Sequence, residues 1–200
     1  MTMVAELRET RFDPLLARQA LLRRLWEANA HPGLIIRLGE IPLHVPVPRL
    51  RPACALLLAV LDREASFHVR GPDGERLREY LRFNTGAYAT SLESADFVLV
   101  TGSAPGGGGS RRGRLETFQD GATVVCAPFS VSTTPAGADV TMSLHGPGIA
   151  GERRLSVQGL TGADLAPLFT GDHSSLGVDL WLAAADGHLA VIPRSTRCRE

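Results

Sequence analysis

Three glycines with the spacing G-x-G-x-x-G lie in the stretch 144–154 (LHGPGIAGERR), and this spacing is typical of loops that bind a dinucleotide. Such a loop leaves a strand and opens a helix, because the N–H groups of the helix N-terminus face the pyrophosphate. Residues 138–146 alternate apolar and polar side chains as a strand does, but residues 152–160 alternate again and contain Gly159. The pattern therefore favours a glycine-rich turn between two strands.

Three stretches place an arginine beside small or hydroxyl residues at the predicted end of an element: 81–88 (LRFNTGAY), 148–155 (GIAGERRL) and 192–196 (IPRST). The planar guanidinium suits phosphate or carboxylate, and neighbouring hydroxyls add donors. We expect at least two of the three arginines to lie in one cleft. The alternative is that each arginine pairs with an acid and holds a loop. The candidate ligand-binding residues are Arg82, Asn84, Thr85, His145, Arg153 and Arg194.

All 21 basic residues are arginine, so the sequence contains no lysine. No side chain can therefore form a Schiff base with pyridoxal phosphate or a carbonyl substrate. A Walker lysine and a kinase-type lysine are excluded for the same reason. We expect no cofactor and no catalytic residue, since G-x-S-x-G is also absent. The six histidines form no H-E-x-x-H, which gives no support for a metal site.

Charge and hydropathy limit the partners. The formal net charge is zero, which gives no electrostatic support for binding nucleic acid. No apolar run approaches the ~18 residues that a membrane-spanning helix needs. Three widely spaced cysteines offer no disulfide framework and favour a reducing cytoplasm.

The order of elements, helix-rich first and strand-rich later, predicts a mixed α/β (α+β) fold in a single domain over residues 1–200. A helix is predicted over 13–33, with an inward face of Leu15, Leu16, Leu22, Leu25 and Trp26. A buried helix is expected over 52–62, an outer helix over 74–83 that is capped by Asp73 and has Leu77, Tyr80 and Leu81 inward, and a short helix over 161–169. Strands are predicted over 34–38, 66–69, 96–102, 122–131, 139–146 and 153–157.

Two further segments have distinct signatures. Residues 177–193 place two alternating runs around Asp186–Gly187, the composition of a hairpin with a two-residue turn. We expect an exposed edge of this hairpin to pair with another chain. Residues 103–114 (SAPGGGGSRRGR) are typical of a flexible loop, with an anion-binding loop as the alternative because three arginines follow the glycines.

Read in order, 81-LRFNTGA-87, 120-DGATVV-125, 145-HGPGIAGERRL-155, 176-LGVDLWL-182 and 191-VIPRST-196 resemble the PhnH family, the H component of the bacterial carbon–phosphorus lyase system. The helix that ends in His31–Pro32–Gly33 is similar to the start of that component. The specificity lies in the ordered set of motifs. Asn84 departs from it, since the family often has a histidine there.

The resemblance implies a cytoplasmic subunit for organophosphonate breakdown that forms homodimers and assembles with the G, I and J components of the same system. With the L component, that system transfers a phosphonate to the ribose of ATP and releases adenine, before the carbon–phosphorus bond is cleaved on the J component. The family carries no known catalytic centre, and its fold is similar to pyridoxal-phosphate-dependent transferases without the cofactor. The alternative function is a small nucleotide- or phosphonate-binding module, or an enzyme, that uses arginine-rich clefts.

Overall fold

The computed structural model describes residues 16–101, 121–161 and 178–199. The predicted loop at 103–114, and all but the first residue of the helix predicted over 161–169, lie outside these ranges. The α-helices of the described residues are α1 (Leu16–Ala30), α2 (Arg51–Val60) and α3 (Gly74–Thr85). Short 3₁₀ turns cover Pro48–Leu50 and Leu92–Ser94. The strands are β1 (Ile36–Arg37), β2 (Ser66–Arg70), β3 (Tyr88–Ala89), β4 (Phe97–Val100), β5 (Thr123–Cys126), β6 (Ser130–Ser132), β7 (Val140–His145), β8 (Arg153–Gln158), β9 (Asp179–Ala183), β10 (His188–Ile192) and β11 (Arg197–Arg199).

The strands form two sheets. The larger has the order β1-β10-β9-β5-β4-β2-β3, in which β9, β5, β4, β2 and β3 are parallel and β10 is antiparallel to both of its neighbours. The smaller sheet has the order β11-β7-β8-β6 and is antiparallel throughout. The mixed α/β class predicted from the order of elements is confirmed. Its division into a single domain stays a prediction.

The larger sheet is apolar on both faces, because successive side chains of a strand point in opposite directions. Leu99, Val125 and Trp181 pack against the three helices. Their chain neighbours, such as Val124, pack on the opposite face against the smaller sheet. The fold is therefore layered as helices, larger sheet and smaller sheet. In the described part of the chain, helices cover one face of the larger sheet and strands cover the other.

Helix α1 is anchored by a narrower stripe than the sequence predicts. Leu21, Leu25 and Ala28 are buried, at the i, i+4, i+7 spacing of one helical face. Leu16 and Trp26 are 67% and 69% exposed, so their assignment to the inward face is wrong. Trp26 follows Leu25 and is rotated by about 100° from it around the helix axis, which turns its ring toward solvent.

Helix α3 buries Leu77, Tyr80 and Leu81, as the sequence predicts. Its N-terminus differs from the prediction. Asp73 has φ +62°, in the left-handed region, and its side chain makes no capping hydrogen bond. The first turn is closed by the backbone instead, because the N–H of Leu77 donates to the carbonyl of Asp73 at 3.0 Å. Asp73 is thus a turn residue and its expected role as side-chain cap is wrong.

The predicted hairpin forms from β9 and β10, but with a longer turn. The N–H of Ala184 donates to the carbonyl of His188 at 2.8 Å, and the N–H of Gly187 donates to the carbonyl of Ala184 at 3.0 Å. Three residues therefore form the loop, and the last, Gly187, has φ +89°. This is the turn followed by a left-handed residue that three-residue hairpins commonly use.

The hairpin is not an exposed edge. Strand β9 lies between β5 and β10, and β10 lies between β9 and β1. Both strands have their backbone groups paired on both sides within the sheet, so neither can add a strand from another chain. The expectation that this hairpin edge pairs with a second copy is therefore wrong.

Two leucines of α1 provide a matched test of the observed face. Leu21→Ala should lower the free energy of unfolding by about 2–4 kcal/mol, because it removes a side chain that is 4% exposed. Leu16→Ala, the same substitution at an exposed position, should change it by less than about 0.5 kcal/mol. Urea unfolding followed by circular dichroism measures both. Equal losses would show that the side chain of Leu16 is buried.

Candidate functional site

Four of the stretches singled out in the sequence meet at the end of the larger sheet where its parallel strands begin. We call this end the sheet edge, although it is formed by strand ends and not by an edge strand. Gly121 precedes β5 and Asp179 opens β9. Strand β10 runs in the opposite direction and brings Arg194 to the same edge. The N–H of Gly33, just after α1, donates to the carbonyl of Val191 at 2.8 Å. The topology thus places residues that are distant in sequence side by side.

Arg194 joins three of these segments. Its Nη2 lies 2.8 Å from Oδ2 of Asp179 and 3.0 Å from the carbonyl oxygen of Gly121, and its Nε lies 3.4 Å from Oδ1 of Asp179. The backbone N–H of Arg194 also donates to Oδ1 of Asp179 at 2.8 Å. The hydrogen bond to this carboxylate raises the pKa of Arg194. The guanidinium is therefore engaged in fastening the starts of β5 and β9 to the end of β10.

The glycine-rich turn between β7 and β8 packs at the same edge, and its backbone lies directly against the backbone of two other chain segments. A Cβ atom at Gly146 would lie 3.1 Å from the carbonyl oxygen of Ser195, and one at Gly148 would lie 2.8 Å from that of Ala30. A Cβ at Gly33 would lie 2.4 Å from Cδ1 of Leu144. These glycines are needed because three chain segments approach each other closely. The turn leads from strand to strand, as the sequence predicts, and opens no helix.

Arg153 completes the contact between this turn and α1. Its Nη1 donates to the carbonyls of Pro32 at 2.7 Å and His31 at 3.2 Å. Basic side chains commonly satisfy carbonyl oxygens just beyond a helix C-terminus. The bonds tie β8 to the end of α1. Close by, Nδ1 of His145 is 3.2 Å from the carbonyl oxygen of Gly151, which closes the glycine-rich turn.

The remaining candidates end helix α3. Arg82 pairs with Glu79 on the surface at 2.7 Å, and this hydrogen bond lowers the pKa of Glu79. Nδ2 of Asn84 donates to the carbonyl of Tyr80, and Oγ1 of Thr85 donates to that of Leu81, both at 2.8 Å. The motif 81–87 therefore terminates a helix, together with Gly86 at φ +75°.

The candidates fall into two groups. One group lies near β9, which pairs with Arg194 through Asp179, and the other lies near β2, against which α3 packs. Two strands, β5 and β4, lie between β9 and β2. At about 4.8 Å per strand this separation is roughly 14 Å. Arg153 and Arg194 lie on the side of β10 and α1, whereas Arg82 lies on the side of β2 and β3. Whether any of these residues binds a ligand stays a prediction.

Sequence reasoning missed two features of this edge. The alternating pattern of residues 177–193 assigns Asp179 no partner, although a carboxylate at the start of a buried strand signals one nearby. Thr196 is 1% exposed, and its Oγ1 has no hydrogen-bond partner among the described residues.

No group of three potential metal ligands occurs in the described ranges. Within the same ranges, no helix has the length and apolarity needed to cross a membrane.

Comparison with known proteins shows which family the ordered motifs belong to. Residues 11–199 match the sequence profile of the family described as bacterial phosphonate metabolism protein (PhnH). The chain belongs to this family. A putative C-P lyase subunit protein, HtxG, of Stutzerimonas stutzeri is 31% identical over 185 residues, which cover 90% of this chain and 84% of that protein. The resemblance inferred from the motifs is confirmed, and the chain is a protein of phosphonate metabolism.

Substitution of two glycines in the turn between β7 and β8 distinguishes the stability cost of backbone strain from the cost of a steric clash. Gly148 and Gly151 both have φ near +80°, but only Gly148 has neighbours within 4 Å of the position that a Cβ atom would take. Gly151→Ala should cost about 1 kcal/mol of folding stability from strain alone. Gly148→Ala should cost more, by roughly 1–2 kcal/mol, because the turn must also move away from α1. Thermal and urea unfolding measure the difference, and equal losses would contradict the close packing.

Substitution of two arginines distinguishes a side chain that holds strand ends together, Arg194, from one in a surface ion pair, Arg82. Arg194→Ala should lower the stability by about 1 kcal/mol, because it removes several hydrogen bonds from a side chain that is still 43% exposed. Arg82→Ala should produce no measurable loss, because its pair with Glu79 lies at the surface. Urea unfolding checks both. A substantial loss for Arg82→Ala would assign that residue a structural role that its exposure does not indicate.

Proposed function

We propose that this protein is a non-catalytic subunit of a carbon–phosphorus lyase core complex in the bacterial cytoplasm. In this role it supports the transfer of a phosphonate to the ribose of ATP, with release of adenine, before the carbon–phosphorus bond is cleaved. Membership of the phosphonate metabolism family over residues 11–199 carries the proposal. The likeness to HtxG, whose name describes a putative C-P lyase subunit, supports it.

The geometry at the sheet edge agrees with an assembly role. Arg194 and Arg153 each donate to carbonyl or carboxylate oxygens of their own chain. Asn84 and Thr85 each donate to a carbonyl of their own helix. A side chain that holds a turn in place is less available to a substrate. These motifs are then best explained as the means by which the protein keeps a defined shape.

We further propose a homodimer and contacts with the G, I and J components of the lyase system. The hairpin of β9 and β10 is excluded as an edge-pairing surface, so another surface is needed. Phe83 on α3 and Tyr88 on β3 are 45% and 65% exposed, and β3 is an edge strand of the larger sheet. Exposed aromatic side chains are enriched at interfaces. A homodimer through them would be self-complementary about a two-fold axis.

Co-expression with the G, I and J components from the same organism tests the assembly. The protein should co-purify with them and elute as one species whose mass exceeds that of the single chain. The buried surface should exceed ~1,200 Å² for a stable contact. Elution as a monomer, without the other components, would contradict the proposal.

Thermal denaturation of the isolated protein with ATP or methylphosphonate tests the alternative, a nucleotide- or phosphonate-binding module. A ligand that binds the folded state raises the melting temperature. We expect no shift for the isolated chain. A shift that Arg82→Ala or Arg194→Ala abolishes would favour the binding module and assign the arginine to its site.

A further inference from the structure

The smaller sheet has one apolar face and one polar face. Met142, Leu144 and Leu155 are fully buried against the larger sheet. Thr141 and Ser156, at alternate positions, form a hydrogen bond of 3.0 Å between their hydroxyls and so share the opposite, outer face. Ser156 is 1% exposed, so the outer face is covered at its centre, whereas Arg154, Arg197 and Arg199 on the same face are exposed.

The register of three strands gathers basic side chains on this outer face. Arg197 lies opposite His145, Arg199 lies opposite Ser143, and Ser143 lies opposite Arg154. Cys198, between the two arginines of β11, packs inward against the apolar cluster, so Arg197 and Arg199 point outward. We call Arg154, Arg197, Arg199 and His145 the basic face.

The positive charge of the basic face is only partly offset. Glu152 accepts hydrogen bonds from the hydroxyl of Ser143 at 2.6 Å and from Nε of Arg154 at 3.4 Å. These two bonds, the one from Ser143 first, lower the pKa of Glu152. Arg197 and Arg199 are exposed, and within the described ranges neither side chain has a hydrogen-bond or ion-pair partner.

Arg197 and Arg199 lie two residues apart on β11, and Arg154 lies on β8 across β7, so the three arginines repel one another weakly through solvent. The formal net charge of the chain is zero, so the acids that balance these arginines lie elsewhere in the sequence. The basic face thus carries a small cost to the fold that its own acids do not remove. An acidic surface placed against it would remove that cost.

We propose that the basic face docks an acidic protein surface on another component of the complex. The inference rests on the proposed function, because it takes the chain to be part of a complex. Complementary charge steers association and fixes the orientation of the partners. Among the strands that the structure describes, β11 is at an edge of its sheet, so the partner reaches Arg197 and Arg199 directly.

Two other occupants fit the basic face less well. A second copy pairing through β11 about a two-fold axis would bring arginines against arginines, which is repulsive. A small phosphate-containing ligand is normally enclosed in a concave site. Here the three arginines belong to β11 and β8, on either side of β7, and project from a sheet face. Charged side chains also protect an edge strand from unwanted pairing, and that role alone would involve no partner.

The experiment compares three double variants within the co-expressed complex of this chain with the G, I and J components. Arg197→Glu/Arg199→Glu reverses the charge of the basic face. Arg197→Lys/Arg199→Lys retains it. Arg23→Glu/Arg37→Glu makes the same change of charge at exposed positions on α1 and β1. Unfolding of each isolated chain is measured as a control for folding, and affinity for the other components is measured from 50 to 300 mM salt.

The reversed variant should fold normally and lose at least about ten-fold in affinity, since several cations contribute to one contact. The lysine variant and the Arg23/Arg37 variant should bind within about three-fold of the wild type. Affinity of the wild type should fall with rising salt, and the reversed variant should lose this dependence.

Wild-type affinity in the reversed variant would overturn the docking surface while leaving the proposed function intact, and would assign the arginines to edge protection. Loss in the Arg23/Arg37 variant as well would show a general charge effect and would also overturn it. A wild-type chain that binds none of the other components would overturn both proposals. A thermal shift with ATP that only the reversed variant loses would replace the protein partner with a small anion.

Discussion

The structure depends on burying both faces of the larger sheet. Its central strands carry apolar side chains on both faces. Exposure of either face to water would be unfavourable, so each face is covered by a separate layer. Helices α1 to α3 cover one face around Leu99, Val125 and Trp181. The smaller sheet covers the other with Met142, Leu144 and Leu155. Burial of apolar area is the main source of folding free energy, so the three helices and the smaller sheet are held on opposite faces of the larger sheet.

Covering both faces creates a problem at the edge where the parallel strands begin. The end of α1, the turn of the smaller sheet and the segment after β10 all meet there. Gly33, Gly146 and Gly148 permit the close approach, because a Cβ atom at any of them would lie within about 3.1 Å of another segment. Arg153 and Arg194 then satisfy the carbonyl and carboxylate oxygens that this edge leaves without partners.

This arrangement explains why the motifs resemble ligand-binding sites. Glycine-rich spacing and arginine beside small residues are features of phosphate sites, but they are also what close packing of turns requires. For Arg194 the structure shows the packing role, because Asp179 supplies a carboxylate that the guanidinium binds. Ligand binding by Arg194 stays a prediction. The hairpin predicted over residues 177–193 already brings residue 179 close to residue 194, because its two strands are antiparallel. The local pattern does not show that Gly121 joins them, since β5 reaches β9 only through the tertiary fold.

The sequence by itself determined the family, the mixed α/β class and most elements. Alternation and helical spacing are local, so α2, α3 and strands such as β7 follow from them. The absence of lysine excludes a Schiff base on any side chain without any structure. Tertiary structure decided which side of α1 is buried, that the β9–β10 hairpin lies within the sheet, and that Arg154, Arg197 and Arg199 share one face. These features depend on strand order and register, which arise from contacts between residues far apart in the chain.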